Sequence, residues 1–281
     1  METVSLDPAA IDEAVVRALA EDIGSGDVTT RATVGSAAVA RAVIAARRPG
    51  VLAGIPVALR VFERVDPAVR ATATCGDGAR VARGDVVMQI EGPARGILTA
   101  ERVVLNFLGH LSGIATATAD IVAAVAHTAA RVCDTRKTTP GLRAFEKYAV
   151  RCGGGVNHRM GLYDQFLIKD NHIAAAGGIA NAVSAARAAA PGLKLEVEVE
   201  TLEQLDEALN AGVDQVLLDN MDPVEMKEAV TRVAGRAVTE ASGSITLSAA
   251  AAIAETGVDL LSVGWITHSA PSLDFGLDFL P

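Results

Sequence analysis

From residue 131 onward the chain alternates short aliphatic or β-branched runs with helical segments, and this alternation restricts the fold more than any other feature. Strands are expected at 131–135, 166–169, 194–199, 215–219, 237–240 and 259–263. The last three strand-to-strand steps are each about 21 residues, the length of a βα unit in a parallel barrel. Local signals support the helices between them. Thr201 with Gln204 reads as a capping box, Asp222-Pro223 followed by Glu225 marks another start, and Gly212, Gly235 and Gly257 close three helices in succession. A doubly wound open sheet shares this periodicity, so the strand ends decide. Their C-terminal ends deliver Thr135-Arg136-Lys137, Lys169-Asp170, Glu198, Asp219-Asn220, Glu240 with Ser242-Gly243, and Gly264. A βα barrel builds its site from those ends. Six strands fall one or two short of a closed barrel, and the irregular stretch 153–162 is a candidate for another.

The upstream half follows a different pattern. A helix is expected over 7–22, with Asp7 as N-cap, Pro8 in the first turn and Gly24-Ser25-Gly26 after its end. Short β-branched runs at 39–46, 69–74 and 86–90, broken by Pro49-Gly50 and Gly76-Asp77-Gly78, predict a mostly antiparallel sheet with one helix near 56–65. The hairpin around Gly78 and Gly84 has the look of a biotin or lipoate carrier. That reading fails, because the first lysine in the chain is Lys137. A long helix is expected from Thr99, its cap, which places Arg102 in the first turn, where the positive helix end disfavours a cation.

The fold class is therefore α/β: an N-terminal α+β sandwich domain over 1–110 and an incomplete parallel, TIM-like α/β barrel over 111–268. The tail 269–281 is expected to pack with the first domain. Half of the 281 residues are hydrophobic and 3% are aromatic, so the core is built from Ala, Val, Ile and Leu, and general disorder is excluded.

The formal net charge of −9 argues against a partner that is nucleic acid or anionic membrane. No stretch reaches the roughly 18 uninterrupted apolar residues of a membrane span. The start Met1-Glu2-Thr3 lacks the basic and apolar regions of a signal peptide. Cys75, Cys133 and Cys152 show no CxxC spacing, and a reducing, cytoplasmic compartment is expected. The negative total conceals an island between 131 and 170. There Arg131, Arg136, Lys137, Arg143, Lys147, Arg151, Arg159 and Lys169 face only Asp134, Glu146, Asp164 and Asp170. A basic island in an acidic protein suggests a small anionic ligand.

On the rim, Arg136, Lys137, Arg159 and Lys169 supply cations, and Glu198 and Asp219 supply carboxylates. Arginine offers a planar fork for carboxylate or phosphate, and lysine a movable point charge. The two acids could hold Mg²⁺ with substrate phosphates or stabilise a developing cation. Any one strand-end acid is equally well a helix cap or a salt-bridge partner. His158 reads either as a ligand contact or as a satisfied core histidine, and His110, His127, His172 and His268 lack metal-ligand spacing. Gly153-Gly154-Gly155 reads as a helix stop and tight turn rather than a phosphate loop. Ser242-Gly243-Ser244 and Gly264, after late strands, are better phosphate candidates.

Longer segments carry more. Asp134 through Arg143, Lys147-Tyr148-Ala149-Val150, Gly153 through Arg159, Leu167 through His172, Glu196 through Val199, Leu218-Asp219-Asn220 and Thr267-His268-Ser269 together resemble the quinolinate phosphoribosyltransferase family. The similarity extends upstream through Thr99-Ala100-Glu101-Arg102, Leu111 through Thr116 and Asp27-Val28-Thr29-Thr30, and so covers essentially the whole chain.

The resemblance implies reaction of quinolinate with 5-phosphoribosyl 1-diphosphate to give nicotinate mononucleotide, CO₂ and diphosphate, in NAD biosynthesis. It implies Mg²⁺ with the phosphoribosyl donor and no organic cofactor. A homodimer with shared active sites is expected, with assembly beyond a dimer left open. By motif, Arg136, His158, Arg159 and Lys169 surround quinolinate, and Arg102 arrives from the partner subunit. Lys137 lies near the ribose and diphosphate, Glu198 and Asp219 face the ribose and its Mg²⁺, and Thr135 is counted with the substrate-binding residues. Ser242, Gly243, Ser244 and Gly264 match the 5′-phosphate loops, and Val263 and Trp265, on either side of Gly264, are counted with the substrate-binding residues. The catalytic set is Lys137, Lys169, Glu198 and Asp219. Two positions depart from the family: Ala241 replaces a common serine, and Trp265 replaces a small residue and either crowds the phosphate loop or, the expected outcome, packs against the neighbouring domain. A homologous protein of molybdenum-transport operons and a non-catalytic phosphosugar-binding barrel are the competing readings. The rim set argues against both.

Overall fold

A computed structural model describes residues 5–281; the acidic start Met1–Thr3 lies outside the described residues. The chain divides into two compact units, Met1–Ala119 with Ala144–Gly154 and Ser269–Pro281, and Asp120–Arg143 with Gly155–His268. The division thus falls at 119/120 rather than 110/111, and 144–154 goes with the first unit.

In the first unit, α1 (Pro8–Ile23) starts where Asp7 accepts the Ala9 N–H, with Pro8 in its first turn, and ends at Gly24 with φ 51°. The short α2 (Val28–Thr33) is capped by Asp27, which accepts from Thr30. Strands β1 (Val39–Ala46), β2 (Gly50–Val51), β3 (Arg70–Ala73), β4 (Arg80–Val81) and β5 (Val86–Pro93) follow, with α3 (Ile55–Val65) after β2. Asp77 accepts from the N–H groups of Gly54 and Ile55 at the start of α3, at 2.9 and 3.0 Å, and from Tyr148 Oη at 2.6 Å. The main sheet has order β12-β1-β5-β3 and is antiparallel throughout. Its outer strand is the tail segment β12 (Phe275–Phe279), with Ile44 opposite Leu277 and Ala46 opposite Phe275. Ile44, Leu52, Phe62, Met88 and Ile97 are fully buried.

The long helix α4 (Ala94–Val125) begins directly after Pro93, five residues before the expected cap. Thr99 instead donates to Asp27 Oδ2 from within the helix, at 3.1 Å. Arg102 consequently lies more than two turns inside α4, beyond the reach of the terminal dipole, and is exposed. An 18-residue window of α4 has mean hydropathy 1.4, enough by length and composition to cross a membrane, yet 67% of that window is buried within the protein. It is a core helix. The glycine run closes α5 (Arg143–Cys152). A Cβ on Gly153 would sit 2.3 Å from the Ala115 carbonyl oxygen, so the close approach of α5 to α4 requires glycine there.

In the second unit, six parallel strands form one sheet of order β6-β11-β10-β9-β8-β7. They are β6 (Arg131–Cys133), β7 (Phe166–Ile168), β8 (Leu195–Val199), β9 (Gln215–Asp219), β10 (Val238–Ser242) and β11 (Leu260–Ser262). A single parallel bridge, Cys133 to Val156, extends the sheet past β6. The stretch 153–162 therefore adds a bridge and not a strand, which leaves the barrel incomplete. Helices α6 (Asp170–Ala176), α7 (Ile179–Ala189), α8 (Leu202–Asn210), α9 (Pro223–Val233), α10 (Leu247–Ala254) and the one-turn α11 (Trp265–His268) separate the strands. Asp222 and Glu225 form the reciprocal capping box at α9. At α8, Thr201 caps Gln204, but the Gln204 side chain reaches the N–H of Glu200, one residue earlier than a box requires.

Candidate active site

Side chains two apart on a strand share a face, so Glu196 with Glu198, Leu217 with Asp219, and Glu240 with Ser242 point together into the barrel. At the C-terminal ends of the strands these residues border a cavity of about 530 Å³. From the expected set it is lined by Thr135, Arg136, Lys137, His158, Arg159 and Lys169 on one side, and by Glu198, Asp219, Ser242, Gly243 and Ser244 on the other. Leu167, Leu217, Asn220, Glu240 and Ser262 complete the wall. Val263 is buried and, like Gly264 and Trp265, does not border the cavity.

The cationic side rests on Asp134, which is fully buried. It accepts from the His158 N–H at 2.9 Å and from Asn157 Nδ2 at 2.5 Å, fixing the segment that carries Arg159. Arg159 donates from Nη1 to the Gln165 carbonyl, and its own N–H bonds to His158 Nδ1. Burial, then the neighbouring charge of Arg136, lowers the pKa of Arg159 from its ordinary value. Among the described residues, Nε of Arg136 is the one buried side-chain polar atom without a hydrogen-bond partner. Two adjacent guanidiniums, one holding an unused buried donor, form a receptor for an anion.

Lys169 directly follows β7 as the N-cap of α6, and its N–H is held by His172 Nδ1 at 3.0 Å. Its ammonium pairs with Glu198 on the adjacent strand. Asp219 accepts from Asn220 Nδ2 at 2.7 Å. Glu198 and Asp219 offer carboxylate oxygens to the cavity, hard donors that suit a Mg²⁺ ion shared with substrate phosphates.

The opposite rim is shaped by backbone. Gly243 adopts φ 110°, and a Cβ there would lie 2.3 Å from Asn220 Oδ1. Asn220 and Ser244 also take positive φ, at 54° and 41°. Gly264 lets the Lys137 stem pass, since a Cβ would stand 3.1 Å from Lys137 Cδ. Thr267 Oγ1 donates to the Lys137 carbonyl at 2.7 Å, which ties this loop to α11. Trp265 donates its indole N–H to the Ile245 carbonyl at 2.9 Å, a bond within its own unit that braces the loop following Ser244.

The floor holds a network of which the strand-end reading named only Glu240. His158 Nε2 lies 3.0 Å from Glu196 Oε2 and 3.4 Å from Glu240 Oε1. Glu196 also accepts from Gln165 and Gln215, and Glu240 is bonded to Gln215 and Ser262. These three acid and imidazole groups come close enough to share a metal ion. Their oxygens are already occupied by protein N–H and O–H groups. Because Arg159 donates to Nδ1, His158 carries its proton on Nε2 and is a satisfied histidine at the cavity wall. The i, i+2 spacing of Glu196 and Glu198 was the available signal.

The family described as Quinolinate phosphoribosyl transferase matches over both parts, its N-terminal domain at residues 27–112 and its C-terminal domain at 114–278. A protein of Mycobacterium leprae named nicotinate-nucleotide pyrophosphorylase (carboxylating) is 50% identical over 95% of this chain and 96% of its own. A Bacillus subtilis protein named as probably the same enzyme is 46% identical over 92% of this chain and 89% of its own. The solved nicotinate-nucleotide pyrophosphorylase of Francisella tularensis superposes with a TM-score of 0.96 at 38% identity, covering 100% of both chains. With both halves matched in order and the rim intact, the chain belongs to the quinolinate phosphoribosyl transferase family.

Proposed function

We propose that the protein transfers the phosphoribosyl group of 5-phosphoribosyl 1-diphosphate to quinolinate with loss of CO₂, forming nicotinate mononucleotide and diphosphate for NAD biosynthesis. The observation that carries this is the Arg136–Arg159 pair, two half-buried guanidiniums with an unused donor inside a cavity rimmed by further cations. Quinolinate's two carboxylates supply what that pair lacks. Arg136, Arg159 and Lys169 bind and orient the dicarboxylate, and His158 closes the wall beside them.

Breaking the anomeric C–O bond leaves positive charge on the ribose, and Glu198 is placed to offset it once substrate anions draw Lys169 away. Lys137, exposed at the rim, neutralises the departing diphosphate, with Thr135 beside it. Glu198 and Asp219 would hold Mg²⁺, which neutralises diphosphate charge when bound. Ser242, Gly243 and Ser244, with Val263, Gly264 and Trp265 behind them, form the cradle for the 5′-phosphate. The pyridine nitrogen becomes quaternary on transfer, and the ring then accepts the electron pair left by CO₂, so no organic cofactor is required.

Arg102 is exposed and makes no hydrogen bond or ion pair within the described residues. It is assigned to the active site of a second copy in a homodimer. A cytoplasmic location fits three free cysteines. The test is to supply quinolinate, the phosphoribosyl donor and Mg²⁺ and follow nicotinate mononucleotide. At quinolinate levels that serve wild-type sites but lie far below the raised KM of Lys169→Ala, mixed dimers of Arg102→Ala and Lys169→Ala chains should regain activity through one native site. No recovery in confirmed heterodimers would contradict the shared site.

A further inference from the structure

Loss of CO₂ leaves an electron pair on a ring carbon, and that carbon must take up a proton. None of the cations assigned above is suited to this, since each is committed to an anion. The floor of the cavity holds a different kind of group. Glu196 and Glu240 are both fully buried and lie side by side, yet their surroundings differ. Glu196 accepts three N–H donors, from Gln165, Gln215 and His158, as an ionised carboxylate would. Glu240 shares the Gln215 amide, stands 3.4 Å from His158 Nε2, and meets the Ser262 hydroxyl at Oε1.

A hydroxyl both donates and accepts. If Glu240 carries the proton, its O–H donates to Ser262 Oγ, and the Ser262 hydrogen is released toward the cavity. Glu240 and Ser262 both line that cavity, whereas Glu196 does not. Two adjacent buried carboxylates cannot both ionise cheaply, and the one with fewer donors keeps the proton. Consistent with this, burial and then the Glu196 charge push Glu240 up to about 7.

We propose that Glu240, acting through Ser262, supplies the proton that replaces the departing carboxylate on the pyridine ring. The step rests on the proposed reaction. The bond between ring carbon and carboxyl breaks, CO₂ leaves, and the electron pair remains on carbon. That carbon forms a C–H bond with the Ser262 hydroxyl proton as Ser262 takes the Glu240 proton. Glu240 is left as a carboxylate and regains a proton from water after product leaves. Ser262 touches the reacting carbon, and Glu240 is the reservoir behind it.

The charged and titratable groups facing Glu240 are Glu196 from β8, Lys194 from the residue just before that strand, and His158 from the loop before β7; Gln215 of β9 and Ser262 of β11 face it as neutral partners. Glu196 raises its proton affinity, and His158 and Lys194 lower it.

The test compares wild type, Glu240→Gln and Ser262→Ala across pH 6 to 9 with quinolinate, phosphoribosyl diphosphate and Mg²⁺. Wild-type kcat should fall as pH rises through about 7, where Glu240 loses its proton. Glu240→Gln should lower kcat about 100-fold, leave the KM for quinolinate nearly unchanged and abolish the pH-dependent fall. Ser262→Ala should lower kcat similarly with KM retained. If Glu240→Gln does not fold, Ser262→Ala decides alone. Wild-type kcat in either folded variant, or an unaltered pH profile in Glu240→Gln, overturns the proposal while the reaction stands. Absence of quinolinate turnover by wild type overturns both.

Discussion

Lys169, the residue that follows β7, forms an ion pair with Glu198 near the end of β8, with Glu198 mostly buried and Lys169 half-exposed. Each holds the other in place until an anionic substrate competes for the ammonium. Glu198→Gln should therefore keep quinolinate affinity but lower kcat on the order of 100-fold, because the developing ribose cation loses its counter-charge. Lys169→Ala should chiefly raise the KM for quinolinate. Steady-state kinetics with the donor saturating separates the two outcomes.

The Arg136–Arg159 pair is repulsive without an anion. Sulfate or quinolinate should raise the melting temperature of wild type in a concentration-dependent way, and the effect should vanish in Arg136→Ala. Arg159→Lys should raise the KM for quinolinate about tenfold or more, since an ammonium cannot replace a bidentate fork. Thermal scans and initial rates check both.

Gly243 leaves no space for a Cβ beside Asn220 and lies at φ 110°. Gly243→Ala should add about 1–3 kcal/mol of local strain and weaken the phosphoribosyl donor about tenfold or more, with the quinolinate KM unchanged. Adding Asn220→Gly should recover only part of the loss, because it removes the clash and leaves the backbone conformation.

Trp265→Phe removes the N–H bonded to the Ile245 carbonyl. A loss of about 1 kcal/mol in stability is expected, together with a higher KM for the donor as the loop after Ser244 loosens. Chemical denaturation and kinetics on the same preparation measure the two effects.

Glu240 binds its proton more tightly folded than unfolded, so its contribution runs against stability as pH rises from about 4.5 to about 7 and stays unfavourable above that range. Glu240→Gln removes the ionisable group. Relative to wild type it should gain stability between pH 4.5 and pH 8, as read from urea midpoints at the two pH values.

Much of the barrel was legible because parallel strands with short loops leave a period, and because polar residues sit at the strand ends. Arg136, Lys137, Lys169, Glu198 and Asp219 were found that way, Arg159 came from the basic island, and all six border one cavity. The start of α4 was misplaced at Thr99 because a threonine before an apolar stripe imitates an N-cap. The small residues Ala94 and Gly96 carry no such signal, yet they already belong to the helix. The tail strand β12 was missed although Phe275, Leu277 and Phe279 alternate. Its pairing with β1 joins residues more than two hundred positions apart, which no local pattern reports. The network of Glu196, Gln215, Glu240 and Ser262 was hidden for the same reason, since register across four strands creates it.

The central claim is a single reaction in which glycosyl transfer and decarboxylation are coupled. Quinolinate labelled with ¹⁴C in the carboxyl next to the ring nitrogen tests it most directly. Labelled CO₂ and nicotinate mononucleotide should appear in equal amounts, and only when the phosphoribosyl donor and Mg²⁺ are both present. CO₂ release without the donor, nucleotide that retains the label as the final product, or no turnover at all would contradict the account.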